Sequence, residues 1–231
     1  LILDGAAAAG DSLVSGDVLV IAQKIVSKAE DRYVDLGQVT PSARARELAR
    51  RCDKDPRLVE LILSESTEVL RCRPGLVVVV HRLGVILANA GIDSSNAEPE
   101  GEAERVLLLP QDPDGTCRRV RTELRERAGV DVAVIINDSL GRAWRKGTVG
   151  IALGASGLPS LLDLRGCRDL FDRPLTVTQQ GLGDELAAAA SLLQGQADEG
   201  TPVVLIRGLE LEGTTANAAA LIRPEATDLF R

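Results

Sequence analysis

The stretch DVAVIINDS, residues 131–139, indicates the type of fold. Residues 131–136 are rich in β-branched side chains, which favours a strand that is buried on both faces. A second stretch of this kind, DVLVIAQKIVS at residues 17–27, is expected to form a buried strand with a polar end. Strands that are apolar throughout and are separated by helices predict an α/β fold, with a mixed sheet and covering helices.

Two proline motifs predict the starts of helices. Thr40-Pro41 is expected to be an N-cap followed by the first residue of a helix that runs through Arg51. Asp55-Pro56 repeats this signal for a helix to about Leu70, in which apolar residues and Glu65 fall at helical spacing. The remaining expected elements are helices over 116–128 and 186–193, and strands over 76–80, 85–90, 106–109, 148–153 and 203–207.

Composition excludes several functional classes. The chain has 231 residues, a formal net charge of −7, a pI near 4.9 and only four aromatic residues. This charge and the lack of stacking platforms argue against a nucleic-acid or anionic-membrane binder. No apolar run reaches the roughly 20 residues that span a bilayer. The four cysteines form no CxxC motif, so we expect reduced thiols in a cytoplasmic protein. Residues 98–104 (EPEGEAE) are expected to form an exposed loop.

Polar residues at the ends of two expected strands point to a metal site. Asp93 follows one strand and Asp138-Ser139 follows another, where open α/β sheets place their ligands. Carboxylate and hydroxyl oxygens suit Mg²⁺ or Mn²⁺, although an Asp after a strand is also a common turn or cap residue. Cations at Lys24, Lys28 and Arg32 could hold phosphates, or could belong to a solvated loop. The single histidine, His81, is expected at a strand end and excludes a Ser-His-Asp mechanism.

Several segments together resemble one family, the coenzyme F-420 γ-glutamyl ligases, and within it the ligase domain of the bacterial branch. They are GDVLVIAQKIVSKAEDR (16–32), NAGIDSSN (89–96), LLLPQDPDG (107–115), VAVIINDSLGRAWRKGTVGIALGASGL (132–158) and LLQGQADEGTPVVLIRGL (192–209). The resemblance implies a single ligase domain over residues 1–231, a family-specific fold and an intertwined homodimer. It also implies a nucleotide-contacting loop before residue 1, and a flavin reductase domain as a fused or separate partner.

The activity that the resemblance implies is a GTP- and divalent-metal-dependent ligation. L-Glutamate would be added to the deazaflavin precursor through an acyl phosphate, and γ-linked glutamates would follow. Asp93 and Asp138 would be catalytic and hold one Mg²⁺ or Mn²⁺, Ser139 and Gln196 would hold a second, and K⁺ is a further candidate cofactor. The residues implied to contact GTP are Ser27, Lys28, Arg32, Asn96, Gln194, Gly195, Gln196, Ala197, Asp198, Glu199, Gly200 and Thr201.

Three positions depart from the pattern of the family. Ser139 stands where archaeal members have Thr, Gln196 where some have Glu, and Asp31 where Gly is usual. Two other functions fit the same residues: a nucleotide-binding regulatory or partner domain without turnover, and a carboxylate–amine ligase with a different acceptor.

Overall fold

The computed structural model of the chain describes residues 2–93 and 104–228. These residues group into two compact units. The first unit runs up to Gln23 and resumes over Asp112–Arg223, and the second comprises Lys24–Gln111 and the residues from Pro224 onward. Within the described ranges, no helix has both the length and the apolar character needed to cross a membrane.

The described residues contain both helices and strands. In order they are α1 Ile2–Ala8, β1 Val18–Ala22, α2 Gln23–Ala29, β2 Tyr33–Asp35, α3 Ala43–Cys52, α4 Pro56–Ser64, β3 Ser66–Arg73, β4 Leu76–His81, β5 Ile86–Ala88, β6 Arg105–Leu107, α5 Pro113–Ala128, β7 Ala133–Arg142, β8 Arg145–Ser156, β9 Leu162–Asp163, β10 Gln179–Gln180, α6 Leu182–Gln194 and β11 Val203–Ile206. Short 3₁₀ turns cover Leu36–Gln38, Asn89–Gly91, Ala218–Leu221 and Glu225–Thr227.

The first unit is built on a four-stranded mixed sheet in the order β11-β1-β7-β8. Strands β1 and β7 are parallel, with Leu19 opposite Val134 and Ile21 opposite Ile136. Strand β11 pairs antiparallel with β1, and β8 pairs antiparallel with β7 as a long hairpin. The expected α/β fold with a mixed sheet and helices is therefore confirmed.

Both faces of this sheet are buried, which explains the apolar runs in its central strands. On one face, Leu186 and Ala190 of α6 pack against Val18, Val20 and Ile135. The alternate side chains of β1 and β7 are buried as well. Helix α5 also contacts β7 and β8. Burial of alternate residues on both sides removes the polar periodicity that a half-exposed strand would show.

Two glycines on β8 allow helices α5 and α6 to lie directly against the backbone of the strand. A Cβ added at Gly150 would lie 2.1 Å from Ser191 Oγ and 2.6 Å from the carbonyl oxygen of Ala187, both on α6. A Cβ at Gly154 would lie 2.4 Å from the backbone of Pro113 at the start of α5. Real Cβ atoms essentially never show such distances, so a side chain at either position would force the helix and strand apart.

The second unit has its own core beneath a three-stranded antiparallel sheet. The strand order is β3-β4-β5, and β2 pairs with β6 in a separate two-stranded ribbon. Leu48 and Cys52 of α3 and Val59 and Ile62 of α4 form a cluster with buried side chains of β4, including Val79. His81 ends β4 and is fully buried, which confirms its expected place at a strand end.

Two of the expected elements are wrong over part of their length. Residues 17–27 are not one strand, because β1 ends at Ala22 and α2 begins at Gln23. The helix expected to reach Leu70 ends at Ser64, and Ser66–Arg73 is strand β3. In both cases the local apolar pattern suits either element, and pairing with a neighbouring strand decides between them.

Smaller differences concern the ends of elements. The N-cap of α3 is Ser42 rather than Thr40, since the Ser42 hydroxyl accepts the amide of Ala45. Asp112 caps α5, which begins at Pro113 rather than at residue 116. The β7–β8 hairpin extends several residues beyond the strands expected at 131–136 and 148–153. All four cysteines are free thiols, as expected.

We predict that Gly150→Ala lowers the free energy of unfolding by about 3 kcal/mol, because the new methyl group collides with α6. Gly141→Ala is the matched control on the same hairpin, since a Cβ there meets nothing within 4 Å. Urea unfolding of the two variants and the wild type measures the difference. Equal stability of the two variants would show that α6 is not pressed against β8.

Candidate active site

In the first unit, Asn137 in the middle of β7 is hydrogen-bonded to the end of α6. The side chain is 5% exposed, and its Nδ2 donates to Ser191 Oγ at 3.0 Å and to Gln194 Oε1 at 2.6 Å. Asn137 Oδ1 has no hydrogen-bond partner among the described residues and lies 2.6 Å from the Cβ position that Gly150 leaves empty.

Gln194 continues this connection to β1. Its Nε2 donates to the carbonyl oxygen of Val20 at 3.1 Å, while its Oε1 accepts from Asn137. Both ends of the amide are thus used within the protein. Of Gln194, the backbone is the part that can contact a ligand without breaking these bonds.

The loop after α6 has a conformation that depends on glycine. Gly195 has φ 70° and ψ −171°, a region that is accessible essentially only to glycine. The Glu199 carboxylate folds over Gly195 and accepts the amide of Ala197 at 2.8 Å. Backbone N–H groups, first that of Ala197, lower the pKa of Glu199. Gly200 also has a positive φ, and Thr201 Oγ1 lies 3.4 Å from the carbonyl oxygen of Glu199.

The hairpin brings Asp138, Ser139 and Gln196 to one stretch of the first unit. The amide of Ser139 donates to Asp138 Oδ1 at 2.8 Å, and Ser139 pairs with Gly150 across the hairpin. Thr148, two residues before Gly150, donates to Gln196 Oε1 at 3.4 Å. The structure therefore places the loop of Gln196 beside the strands that carry the other two side chains.

These three side chains offer a donor set that fits a hard divalent cation. Carboxylate, hydroxyl and amide oxygens are the ligands that Mg²⁺ and Mn²⁺ prefer. Within residues 2–93 and 104–228, no three His, Cys, Asp or Glu side chains are grouped as a metal site. Asp138 and Ser139 are neighbours in β7 and therefore point to opposite faces of the strand, so a cation held by Ser139 and Gln196 would need negative charge from a bound anion such as a phosphate.

In the second unit, Asp93 lies beside β6. Its backbone N–H donates to the carbonyl oxygen of Leu107 at 3.0 Å and its carbonyl accepts from the N–H of Leu107 at 2.8 Å. Its Oδ2 lies 2.7 Å from Lys24 Nζ. The ammonium thus occupies one side of a carboxylate that the sequence nominates as a metal ligand. Asn96, a nominated nucleotide contact, lies outside the described residues.

The segment with the nominated cations follows α2. Ser27 is fully buried and Lys28 lies in the last turn of the helix. Asp31 has φ 50°, while the amides of Asp31 and Arg32 bond back to the carbonyl groups of Lys28 and Ser27. This is a Schellman ending, in which glycine is preferred at the position of Asp31. The resemblance implies a glycine at this position in the family, and a glycine would adopt this turn without strain. Asp31 adopts the same turn at some cost in free energy.

Arg32 belongs to a group that sequence analysis does not find, the Glu65 cluster of Arg32, Glu65, His81 and Arg82. Arg32 Nη2 lies 3.1 Å from both carboxylate oxygens of Glu65, and Arg82 Nε lies 3.0 Å from Glu65 Oε2. His81 Nε2 is 3.5 Å from the same oxygen. The Glu65 side chain is only 12% exposed. The one sign of this cluster in the sequence is that Glu65 occupies a helical position otherwise taken by apolar residues.

Burial would raise the pKa of Glu65, but the cluster reverses this effect. The contact with His81 and the positive charges of Arg82 and Arg32 outweigh desolvation and lower the pKa from 4.5 to about 2. The ionised carboxylate is therefore more strongly stabilised in the folded state than in the unfolded chain.

We predict a pH-dependent loss of stability from this carboxylate. Because the folded pKa lies below the unfolded one, the contribution is complete above about pH 5 and disappears as the pH falls toward 2. The stability difference between the wild type and Glu65→Gln should be about 2 kcal/mol smaller at pH 3 than at pH 6. Urea unfolding at both pH values measures it. A difference that is independent of pH would mean that Glu65 acts through packing alone.

Comparisons with known proteins identify the family. Residues 1–208 match the profile of the family described as "F420-0:Gamma-glutamyl ligase". The chain is 50% identical to the coenzyme F420:L-glutamate ligase of Methanopyrus kandleri over 223 residues, which cover 95% of this chain and 87% of that protein. It is 45% identical to the enzyme of the same name from Methanothermobacter thermautotrophicus, with 100% and 91% covered.

A third relative, from Methanocaldococcus jannaschii, also carries this name, is 40% identical, and is matched over 94% of this chain and 85% of its own length. Matches of this identity and coverage confirm the resemblance that the motifs carry. The chain therefore belongs to the F-420-0:γ-glutamyl ligase family.

Proposed function

We propose that this chain is a ligase that adds L-glutamate to the deazaflavin precursor of coenzyme F-420, with GTP and divalent metal ions. The main support is the family: the chain is 50% identical to such a ligase. Its nominated oxygen donors Asp138 and Ser139 lie in β7, and the Gln196 loop contacts the paired strand β8. The cofactor requirement is the part of the proposal to be tested.

The proposed reaction activates a carboxylate and then forms an amide. An oxygen of the terminal carboxylate of the precursor attacks the γ-phosphorus of GTP, and GDP leaves as the P–O bond to its β-phosphate breaks. The α-amine of L-glutamate then attacks the acyl carbon, loses a proton, and expels inorganic phosphate. Further rounds extend a γ-linked tail. Neither step needs a histidine base or a covalent nucleophile, because positioning and charge stabilisation drive phosphoryl transfer.

In the proposed reaction, one set of side chains would hold metal ions and another would bind the phosphates. Asp93 and Asp138 would hold one divalent ion, and Ser139 and Gln196 a second. When bound, Mg²⁺ or Mn²⁺ would neutralise charge that develops on the transferring phosphoryl group. The backbone of residues 194–201 and the cations Lys28 and Arg32 would bind and orient the phosphates.

The proposal includes assembly as a homodimer, with K⁺ as a further cofactor candidate and a flavin reductase as a fused or separate partner. Large apolar side chains on the first unit support a protein partner. Trp144 at the hairpin tip is 88% exposed, and Leu170 and Phe171 are 99% and 76% exposed. Leu170 and Phe171 are adjacent in the sequence, and contiguous exposed apolar groups are typical of association surfaces.

We predict that the protein, incubated with precursor, L-glutamate, GTP and Mn²⁺, yields products heavier by whole glutamyl units in the mass spectrum. Phosphate release should require the precursor, and ATP should not replace GTP. Asp138→Asn should reduce turnover at least about a hundredfold with little change in melting temperature, because it removes the charge of a metal ligand. Asp172→Asn, at an exposed aspartate paired with Arg168, is the control and should keep full activity.

Other outcomes select the other functions. GTP binding without product would favour a regulatory domain, and glutamylation of a different carboxylic acid alone would favour another acceptor. Normal turnover by Asp138→Asn would remove that residue from the metal site.

We also predict that two metal ions bind unequally. Asp93 and Asp138 offer two carboxylates, whereas Ser139 and Gln196 offer neutral oxygens that hold divalent cations weakly. The second ion should therefore bind only with GTP, and added metal should tighten GTP binding in return. Gln196→Glu should relax this dependence, and Gln38→Glu, at an exposed position, should not. Calorimetry with Mn²⁺ tests this, and two comparable sites without nucleotide would contradict it.

A further inference from the structure

Glu65 lies between two arginines of the second unit, and we propose that it is a positioning residue that orients the Arg32 guanidinium toward the phosphates of the nucleotide. The proposal rests on the proposed function, in which Arg32 contacts GTP. Glu65 lies outside the segments that resemble the family, so the motifs assign it no role.

Arg32 is fixed along one edge of its guanidinium. Its Nε donates to the carbonyl oxygen of Leu109 at 2.9 Å, and its Nη2 donates to both oxygens of Glu65 at 3.1 Å. Nη1 has no hydrogen-bond partner in the part of the chain that the structure describes, and the side chain is 20% exposed. Because the guanidinium is planar, fixing two nitrogens also fixes the direction in which the third presents its hydrogens.

Arg82 has a different task, which is to hold Glu65 in place. Its Nε donates to Glu65 Oε2 at 3.0 Å, its Nη1 donates to the carbonyl oxygen of Gln111 at 2.7 Å, and its Nη2 donates to that of Pro110 at 3.2 Å. All three nitrogens of Arg82 are thus used within the chain. The Glu65 carboxylate is thus anchored by Arg82 on one side and holds Arg32 on the other.

The charges of the cluster argue that Glu65 acts through orientation. His81 Nδ1 accepts the amide of Leu83 at 3.1 Å, so the proton of a neutral imidazole is on Nε2, facing Glu65. Two guanidiniums and one carboxylate leave one excess positive charge. Glu65 reduces the local attraction for an anion, so any gain that it gives to phosphate binding must come from the geometry of Arg32.

The test measures binding of GTP, and separately of inorganic triphosphate, by titration calorimetry at a temperature where all variants are folded. Glu65→Gln should raise both dissociation constants about tenfold, because the Arg32 fork is no longer held in one orientation. Asp131→Asn is the matched control, because Asp131 also accepts hydrogen bonds from two arginines, Arg121 and Arg125. None of these three residues is nominated to contact the nucleotide. It should leave both constants unchanged.

A double-mutant cycle separates orientation from a general structural role. Lysine keeps the charge of Arg32 but has no fork to orient. In the Arg32→Lys background, Glu65→Gln should therefore change the dissociation constants less than about twofold. An equal loss in both backgrounds would overturn the proposal. If Glu65→Gln does not fold, Glu65→Asp decides, and a loss of about threefold is expected from its shorter reach.

The two probes distinguish failure of this inference from failure of the proposed function. If the wild type binds GTP and the Glu65 variants bind it equally well, the inference is wrong and the proposed function stands. If triphosphate binds in a Glu65-dependent manner and GTP does not, the inference stands and the nucleotide assignment is wrong. If neither probe binds the wild type, both are overturned.

Discussion

The first unit depends on close contact between strand β8 and the two helices that pack on it. Gly150 and Gly154 have no Cβ, which lets α6 and the start of α5 reach the strand at backbone distance. This approach brings Ser191 and Gln194 within reach of Asn137, whose amide donates to both. Strand β7 and the end of α6 are thereby joined. Asp138 and Ser139, the next residues of β7, and the Gln196 loop, which follows α6, therefore start from fixed positions.

Charge pairing in the second unit has the corresponding role for the nominated cations. Asp31 directs the chain out of α2 through a left-handed turn, and Arg32 then meets Glu65. A carboxylate with a pKa of about 2 remains ionised at any pH at which such an enzyme would work. Leu109 and Glu65 use part of the Arg32 guanidinium and leave part of it available to an anion.

How much could be predicted from the sequence depended on whether the signal was local. The buried strand at 131–136 follows from the side-chain pattern, and the structure places it in a mixed sheet. The hypothesis that Asp138 and Ser139 are metal ligands comes from the same local pattern. The end of α4 at Ser64 could not be read, because strand pairing with β4 overrides a helical pattern that continues to Val69. The Glu65 cluster was missed for a related reason: the partners of Glu65 lie 16 to 33 positions away in the sequence.

The central claim is that a carboxylate is activated by phosphoryl transfer before the amine attacks. Oxygen-18 placed in the terminal carboxylate of the precursor tests this directly, because breaking the acyl C–O bond leaves one carboxylate oxygen on the departing phosphate. The account predicts that inorganic phosphate released during glutamate addition carries one oxygen-18 atom, as read by mass spectrometry. Phosphate without the label, formed together with the glutamylated product, would contradict it.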